Sequence, residues 1–211
     1  GGAAAKSIAR WNGTSWSALG SGILGGVQAL AILPNGNVVA GGTFRTAGGV
    51  AAERIASWDG TTWSALGSGM SGTTSPRVNA LLTLPNGDLI AGGSFTTAGG
   101  VAASDIARWD GAAWTPLGSG TSGSVYDLTI LPDGGLVAGG GFTTAGDVAV
   151  NNIARWNGSS WAALGTGLTG TGTIVGRAMT VFNGQLHVTG SFSTAGGVAA
   201  QLERNRGVGE A

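Results

Sequence analysis

Short apolar runs alternate with glycine-rich turns along the whole chain, and no run keeps the 3.6-residue period of an amphipathic helix. The clearest stretch contains four such runs, at residues 27–33, 37–44, 55–58 and 62–66. Pro34-Asn35-Gly36 joins the first two runs, and Asp59-Gly60 joins the last two. Asn-Gly and Asp-Gly between apolar runs predict hairpins, because a type I′ turn needs positive φ at both central residues. The pattern therefore predicts four antiparallel strands, named A to D in chain order.

This unit of four strands returns along the chain. The segment from Ile8 to Trp16 recurs at residues 55–63, 106–114 and 153–161, and its leading tryptophans, Trp11, Trp58, Trp109 and Trp156, lie 47 to 51 residues apart. A Leu-Pro-Asn/Asp-Gly turn starts at residues 33, 84 and 131 and is shortened at 181, and a Phe-x-Thr-Ala-Gly-Gly-Val segment or a close variant starts at 44, 95, 142 and 192. Four-stranded units that repeat every 40–50 residues or so are typical of a β-propeller. We therefore predict an all-β propeller of four-stranded antiparallel blades over residues 1–198.

The phase of the repeat predicts how the ring closes. The chain opens with strands C and D of one blade and ends with strands A and B of another, at about 175–192. Pairing these ends completes a fourth blade, split two-plus-two between the termini, and removes two exposed sheet edges. Two alternatives stay open: the chain supplies half of an eight-bladed ring, or its terminal half-blades pair with those of other chains. Residues 199–211 depart from the repeat and are expected to form a disordered tail.

Composition and charge exclude several classes of function. Ten basic residues balance ten acidic ones and only 9% of residues are charged, which argues against nucleic-acid binding. The chain has no cysteine and a single histidine, His187, so neither cysteine- nor histidine-based metal sites are expected, and no cofactor is expected. Glycine, serine and asparagine break up the uncharged stretch at 11–44, so no membrane span is expected. Gly1 to Ala5 lack the features of a signal peptide, which favours a mature chain or a piece of a longer one.

Catalytic chemistry is not expected either. Asp59, Asp110 and Asp133 are explained by turns, so that no carboxylate pair of the kind used by glycosidases is predicted. The eight tryptophans recur at fixed positions on strands C and D, where packing between blades explains them better than sugar stacking. A Gly-x-Gly-x-x-Gly match occurs once in each repeat without a following helix, and it indicates a crossing loop rather than a dinucleotide site.

The combined motifs Ile-Ala-Arg-Trp-Asn/Asp-Gly and Phe-x-Thr-Ala-Gly-Gly resemble those of a bacterial family of secreted β-propeller repeats, and they are similar to the ectodomain repeats of fungal Rax2-type cortical marker proteins. The resemblance covers about 198 of the 211 residues. The Gly-Gly pairs at 41–42, 92–93 and 139–140 also resemble kelch repeats, although the fourth repeat has Thr189-Gly190 instead. This resemblance implies an extracellular or cell-surface protein that is not an enzyme, and it implies no defined ligand.

Residues that vary within the fixed repeat are the candidate ligand-binding positions. The second residue of strand A is Gln28, Asn79, Tyr126 or Arg177, and the pair before strand C is Glu53-Arg54, Ser104-Asp105 or Asn151-Asn152. Both sets are expected on one face, because the D-to-A and B-to-C loops of a propeller share a face; neutral drift in surface loops is the alternative interpretation. We expect a non-catalytic scaffold for binding or assembly, with a protein or glycan partner and with self-association through the half-blades as a further option. A lectin with sites in the loops between blades is the alternative function, and a glycan-active enzyme is the least expected.

Overall fold

The computed structural model describes residues 5–199, and every regular element in them is a β-strand. The strands are β1 (Ala9–Trp11), β2 (Trp16–Ala18), β3 (Ile23–Leu24), β4 (Val27–Ile32), β5 (Val38–Gly42), β6 (Thr46–Ala47), β7 (Val50–Ala51), β8 (Ile55–Trp58), β9 (Trp63–Ala65), β10 (Met70–Ser71), β11 (Arg77–Thr83), β12 (Leu89–Ser94), β13 (Thr97–Ala98), β14 (Val101–Ala102), β15 (Ile106–Trp109), β16 (Trp114–Pro116), β17 (Val125–Ile130), β18 (Leu136–Gly140), β19 (Thr144–Ala145), β20 (Val148–Ala149), β21 (Ile153–Trp156), β22 (Trp161–Ala163), β23 (Leu168–Thr169), β24 (Val175–Phe182), β25 (Gln185–Ser191), β26 (Thr194–Ala195) and β27 (Val198–Ala199). The predicted all-β class is confirmed.

Three complete antiparallel sheets contain the predicted strands A to D in order. They are β4-β5-β8-β9, β11-β12-β15-β16 and β17-β18-β21-β22. The third strand of each sheet pairs with the second in a constant register; Val38 lies opposite Trp58 and Leu89 lies opposite Trp109. Two-stranded sheets flank this series, β1-β2 at its start and β24-β25 at its end.

The hydrophobic core lies between successive sheets, which is how the blades of a β-propeller pack. One cluster joins Val39 and Ile55 of the first complete sheet to Leu89 and Ala91 of the second. The Gly-Gly pairs of strand B make this approach possible: a Cβ on Gly41 would lie 2.5 Å from Cγ1 of Val78 in the next sheet. The structure therefore shows β-propeller blades in series, with the first glycine of each pair facing a neighbouring blade.

The turns differ from the type I′ expectation. At the 33–37 turn only Gly36 has positive φ, and the Gly36 amide donates to the Leu33 carbonyl, as in a type I turn followed by a left-handed glycine. At Asp59-Gly60 only Gly60 has positive φ, and the Asp59 carboxylate accepts the amides of Thr61 and Thr62. Between β24 and β25, by contrast, both residues of the Asn183-Gly184 loop have positive φ, at 49° and 76°. At the 33–37 and 59–62 turns, the side-chain oxygens of Asn35 and Asp59 accept backbone amides within the turn.

The Thr-Ala-Gly-Gly motif forms a second, smaller hairpin in each repeat, which the sequence did not predict. In the first repeat β6 and β7 pair across Gly48-Gly49, whose φ values of 61° and 85° are those of a type I′ turn. β3, from the loop that leads into the same blade, adds a third strand. The B-to-C and D-to-A loops of a blade are thus tied together by backbone hydrogen bonds.

The predicted two-plus-two closing blade is not formed among residues 5–199. β1-β2 and β24-β25 remain separate sheets that share no backbone pairing. Trp11 and Trp16 are half exposed as a result, at 50% and 51%. β25 carries polar and bulky residues, described below, at positions where the other second strands have buried apolar residues or glycine. Ala199, the first residue of the expected tail, belongs to β27, and residues 200–211 of that tail lie outside the described residues.

Candidate functional site

The four candidate residues of strand A occupy the same structural position, a β-bulge. Strand β4 pairs Val27 with Gly42 and Ala29 with Gly41, so Gln28 is an extra residue without a ladder partner. The register shifts at the same place around Asn79, Tyr126 and Arg177. A bulge leaves its extra residue unpaired and re-aims its side chain. We call these four residues the bulge row.

Contacts between neighbouring repeats connect three members of the bulge row. Nδ2 of Asn79 donates to the backbone carbonyl of Val125, 2.7 Å away and next to Tyr126. The guanidinium of Arg177 lies 5.6 Å from the centre of the Tyr126 ring, which is within the range of a cation–π contact. Gln28 and Arg177 are exposed, whereas Asn79 and Tyr126 are half-buried. The bulges thus line up side chains of different chemistry on adjacent inner strands.

The second residue of each pair before strand C has a conformational role. Arg54, Asp105 and Asn152 have φ of 67°, 63° and 62°, in the left-handed region that Asn and Asp tolerate better than most residues. Each donates its amide to the carbonyl of a phenylalanine in the same repeat and accepts a bond from the second glycine of the Gly-Gly pair. The position ends the B-to-C loop and starts strand C.

Side chains of these pairs mostly bind loop backbone. Arg54 is buried, forms an ion pair with Glu53, and donates from Nε to the Pro76 carbonyl at 3.2 Å. Burial, followed by the nearby charge of Arg45, lowers the pKa of Arg54. Nδ2 of Asn151 donates to the Thr166 carbonyl, and Nδ2 of Asn152 donates to the Leu168 carbonyl. This set therefore has fewer free polar groups than the bulge row.

Asp105 is the member of this set whose carboxyl pKa is raised by burial. Burial raises the pKa of its carboxyl from 3.8 to about 6, although the Phe95 amide, which donates to Oδ1 at 3.1 Å, acts in the opposite direction. Ser104, its neighbour, is half-buried, and its carbonyl accepts the Thr121 amide. Asp105 is therefore the group here whose charge changes in mildly acidic solution.

Both predicted sets lie at the same end of the sheets. Strand A begins where strand B ends, since Val27 lies opposite Gly42, and Gly42 donates its amide to the Arg54 carbonyl. The bond from Arg54 to Pro76 links the B-to-C loop of one repeat to the start of strand A in the next. The expected shared end is what the structure shows, and the bulge row is the part of it with the more accessible side chains.

Asp127 is a further functional candidate, outside the ten predicted residues. It follows Tyr126 on β17, where the other repeats have alanine, and its carboxylate accepts the Met179 amide of the next repeat. Burial raises its pKa, and the Met179 bond acts against this shift. In the sequence, the signal for this role is a carboxylate at a position where the other three repeats have alanine. Its contact makes it a link between β17 and β24.

The tryptophans confirm an inter-blade role at three positions. Trp63, Trp114 and Trp161 are buried, and each donates its indole N–H to the carbonyl of a leucine in the crossing loop that enters its blade. Each also contacts a second tryptophan, with ring centroids 5.3 or 5.4 Å apart. Trp11 and Trp16 keep the same ring geometry but are half exposed.

Residues 5–199 contain no cluster of three or more acidic or histidine side chains suited to a metal ion. Asp59 and Asp110 accept backbone bonds within their own turns, and these bonds lower the pKa of both carboxyls. His187 is exposed on β25, with its ring 6.2 Å from that of Phe182.

In the same part of the chain, no helix has the length and apolar character needed to cross a membrane.

No protein-family model matches the sequence, and no curated protein matches it. Among solved structures, the chain is similar to YCF48 bound to D1 peptide, with a TM-score of 0.48, 20% identity and coverage of 88% of this chain and 56% of that one. It is also similar to a protein of unknown function from Dyadobacter fermentans DSM 18053, with a TM-score of 0.38, 18% identity and coverage of 72% and 55%. The chain therefore spans little more than half the length of either protein.

Proposed function

We propose that the chain is a non-catalytic binding scaffold, located outside the cell or at its surface, that recognises a polypeptide partner through the bulge row. The observation that carries this proposal is the bulge itself. One backbone device, repeated on four adjacent strands, presents Gln28, Asn79, Tyr126 and Arg177 at equivalent positions. A constant frame with variable side chains suits recognition of one specific surface.

The chemistry of the row favours a ligand that accepts hydrogen bonds. Arg177 and Gln28 offer exposed donors, and Tyr126 offers an aromatic face and a hydroxyl. Asp127, the neighbouring carboxylate, is already bonded to the Met179 amide. Tyrosine and arginine are among the residues that contribute most at protein interfaces. A peptide segment with carboxylate or carbonyl groups is the ligand that these donors fit.

The test is a binding screen of the full chain against a displayed peptide library and, in parallel, a glycan array. Arg177→Ala is compared with Arg155→Ala, which removes an equal charge from strand β21, away from the bulge row. We expect peptide ligands whose affinity falls about tenfold or more in Arg177→Ala and is unchanged in the control. Thermal unfolding of both variants verifies their fold.

Other outcomes have definite meanings. Glycan binding that depends on Arg177, without peptide binding, would establish a lectin and reject the polypeptide partner. Ligands that bind the Arg177→Ala variant as well as the wild type would reject the bulge row as the site. Failure to retain any peptide or glycan would reject the binding function.

A further inference from the structure

The first complete sheet has an apolar face that nothing in residues 5–199 covers. Leu30 and Ile32 of β4 are 54% and 57% exposed. Their equivalents in the later inner strands are half-buried or buried, because the preceding sheet packs on them. These equivalents are Leu81 and Thr83, Leu128 and Ile130, and Met179 and Val181. Among residues 5–199, the first complete sheet thus has no preceding sheet packed on it, unlike the later sheets.

β1 lies beside this face and has one unpaired edge. Within the described part of the chain it pairs with β2 alone, whereas β8, β15 and β21, the equivalent strands, pair on both sides. A groove of about 440 Å³ runs between β1 and the first complete sheet, lined by Ile8, Arg10, Leu30, Ile32 and Trp58 among others. We call it the acceptor groove. In a complete sheet, a hairpin of strands A and B lies on the corresponding edge of the third strand, so the shape that fits the groove is a β-hairpin.

Arg10 adds a charge requirement. In the second complete sheet Nε of Arg108 lies 2.8 Å from Oδ2 of Asp88, and in the third an N–H of Arg155 lies 2.8 Å from Oδ2 of Asp133. Both acids belong to the turn between strands A and B of the same sheet. Arg10 is the equivalent arginine, and residues 5–199 give it no carboxylate partner. A complementary hairpin would therefore have a carboxylate at its turn.

The chain's own terminal hairpin, β24-β25, does not meet these requirements. Asn183 and Gln185 stand where the turns of the third and second complete sheets have Asp133 and Asp88. His187 stands where Val39, Ile90 and Val137 are almost wholly buried. Thr189 replaces Gly41 and Gly92, at which a Cβ would lie 2.5 to 2.6 Å from a valine methyl of the next blade. Val27 would be the valine facing Thr189.

This misfit applies equally to closure within one chain and to head-to-tail contact between copies. In both arrangements the face of β24-β25 would pack on the first complete sheet. Polar and bulky residues at these core positions instead resemble the outer face of a capping repeat, which keeps a repeat protein soluble at its end. The occupant of the groove is therefore a different hairpin.

We propose that the acceptor groove binds a β-hairpin of a partner chain, built like the A–B hairpins seen here, with a small residue facing Val27 and a turn carboxylate that pairs with Arg10. The partner strand adds to the free edge of β1, and its apolar side chains cover Leu30 and Ile32. Main-chain bonds provide affinity in this mode of recognition, and the side-chain pockets provide specificity. Val27 and Leu30 flank Gln28 on β4, so the surface adjoins the bulge row there, whereas Arg177 lies on β24 at the other end of the series.

The test uses the full chain and a fluorescent peptide of residues 124–141, which contains Asp133 and the glycine pair. Two further peptides serve as controls: the same sequence with Asp133→Asn, and residues 175–191. We expect binding of the first peptide, with about fivefold weaker binding after Asp133→Asn, as for one partly exposed ion pair. The fivefold difference is expected to vanish in the Arg10→Ala protein. Arg177→Ala, which tests the bulge row, is expected to leave this binding unchanged.

A second measurement covers the case in which the free peptide does not form a hairpin. The 124–141 sequence is fused to the N-terminus of the chain through a Gly-Ser linker, and the thermal unfolding midpoint is compared with that of the Asp133→Asn version of the fused segment. We expect a higher midpoint for the aspartate version. Absence of both peptide binding and this difference would overturn the proposal, as would equal binding of the 175–191 peptide. A concentration-dependent dimer, seen by light scattering and abolished by Leu30→Lys, would show that a second copy fills the groove and would also overturn it.

Discussion

At the residue scale, equivalent positions of the repeats act as internal controls. Asp105 and Asn152 share a left-handed backbone, with φ of 63° and 62°. The backbone amide of each donates to a phenylalanine carbonyl just before strand C. Only Asp105 can ionise, and burial raises its pKa to about 6. The folded chain therefore holds a proton on Asp105 between about pH 4 and 6 that the unfolded chain releases. Stability contributed in this way is present at low pH and is lost as the pH rises through 6.

We predict that Asp105→Asn stabilises the protein at pH 8. Asparagine suits the backbone, keeps an oxygen for the Phe95 amide and has no charge to desolvate. The gain in unfolding free energy should be about 1 kcal/mol, discounted for partial exposure, and should shrink toward zero at pH 4. Urea unfolding at both pH values measures it. A variant that gains equally at both pH values would contradict the assigned cause.

A second matched pair compares two ion pairs. The Asp88 side chain is 10% exposed, while that of Asp133 is 56% exposed. Removing Arg108 leaves a nearly buried carboxylate with Asn86 as its remaining side-chain partner, whereas removing Arg155 leaves Asp133 in water. We predict that Arg108→Ala costs about 1–2 kcal/mol and Arg155→Ala less than about 0.5 kcal/mol. Chemical denaturation of both variants at pH 7 compares them, and equal costs would refute the burial argument.

At the scale of strands and turns, the glycine pairs control how closely blades approach. A Cβ on Gly92 would lie 2.6 Å from Cγ1 of Val125, a stiff β-branched side chain. A Cβ on Gly139 would lie 3.1 Å from Sδ of Met179, which is flexible. Neither glycine has a positive φ, so that the two sites differ in the neighbour rather than in the backbone.

We therefore predict that Gly92→Ala destabilises the fold by about 2 kcal/mol, within the range for an overpacked core, and that Gly139→Ala costs less than about 1 kcal/mol. Thermal and denaturant unfolding of the two variants provide the comparison. Substituting Val125→Ala in the Gly92→Ala background should recover part of the loss. If the second substitution only adds to the damage, the valine contact is not the cause.

The strands of the four-stranded sheets were largely predictable from the sequence, whereas the small hairpins and the β-bulges were not. Repeated Trp, Gly-Gly and Leu-Pro-Asn-Gly positions are local signals, and they predicted the three four-stranded sheets. The Thr46–Ala47 hairpin was missed because its strands have two residues each and no periodicity. The bulge at Gln28 was missed because it is defined by pairing with another strand, in which Val27 lies opposite Gly42 and Ala29 lies opposite Gly41. The ten candidate residues were found as variable positions, but which of them bind loop backbone depends on three-dimensional contacts.

At the scale of the whole molecule, the blades form a directional series. The first blade presents Leu30 and Ile32 on its open face, whereas the last half-sheet presents His187 and Thr189 on its own. The predicted ring closure considered only strand order, and strand order treats the two ends as complementary. Side-chain volume at Thr189 was readable in the sequence, but its meaning required the distance between Gly41 and Val78.

The indole bonds of the tryptophans have a consequence for the order in which the chain opens. Trp63, Trp114 and Trp161 fasten three crossing loops, at Leu19, Leu66 and Leu117, whereas the described residues provide no such indole donor for the fourth loop, at Leu164. Local opening has its lowest free energy where few such restraints act. We predict that amide hydrogens of β24-β25 exchange faster than those of β17-β18, as measured by mass spectrometry of peptic fragments. Trp161→Phe should accelerate exchange in β17-β18 as well, and equal rates in the wild type would refute this order. Unfolding would then run from the C-terminal blade toward the middle of the chain, one released crossing at a time.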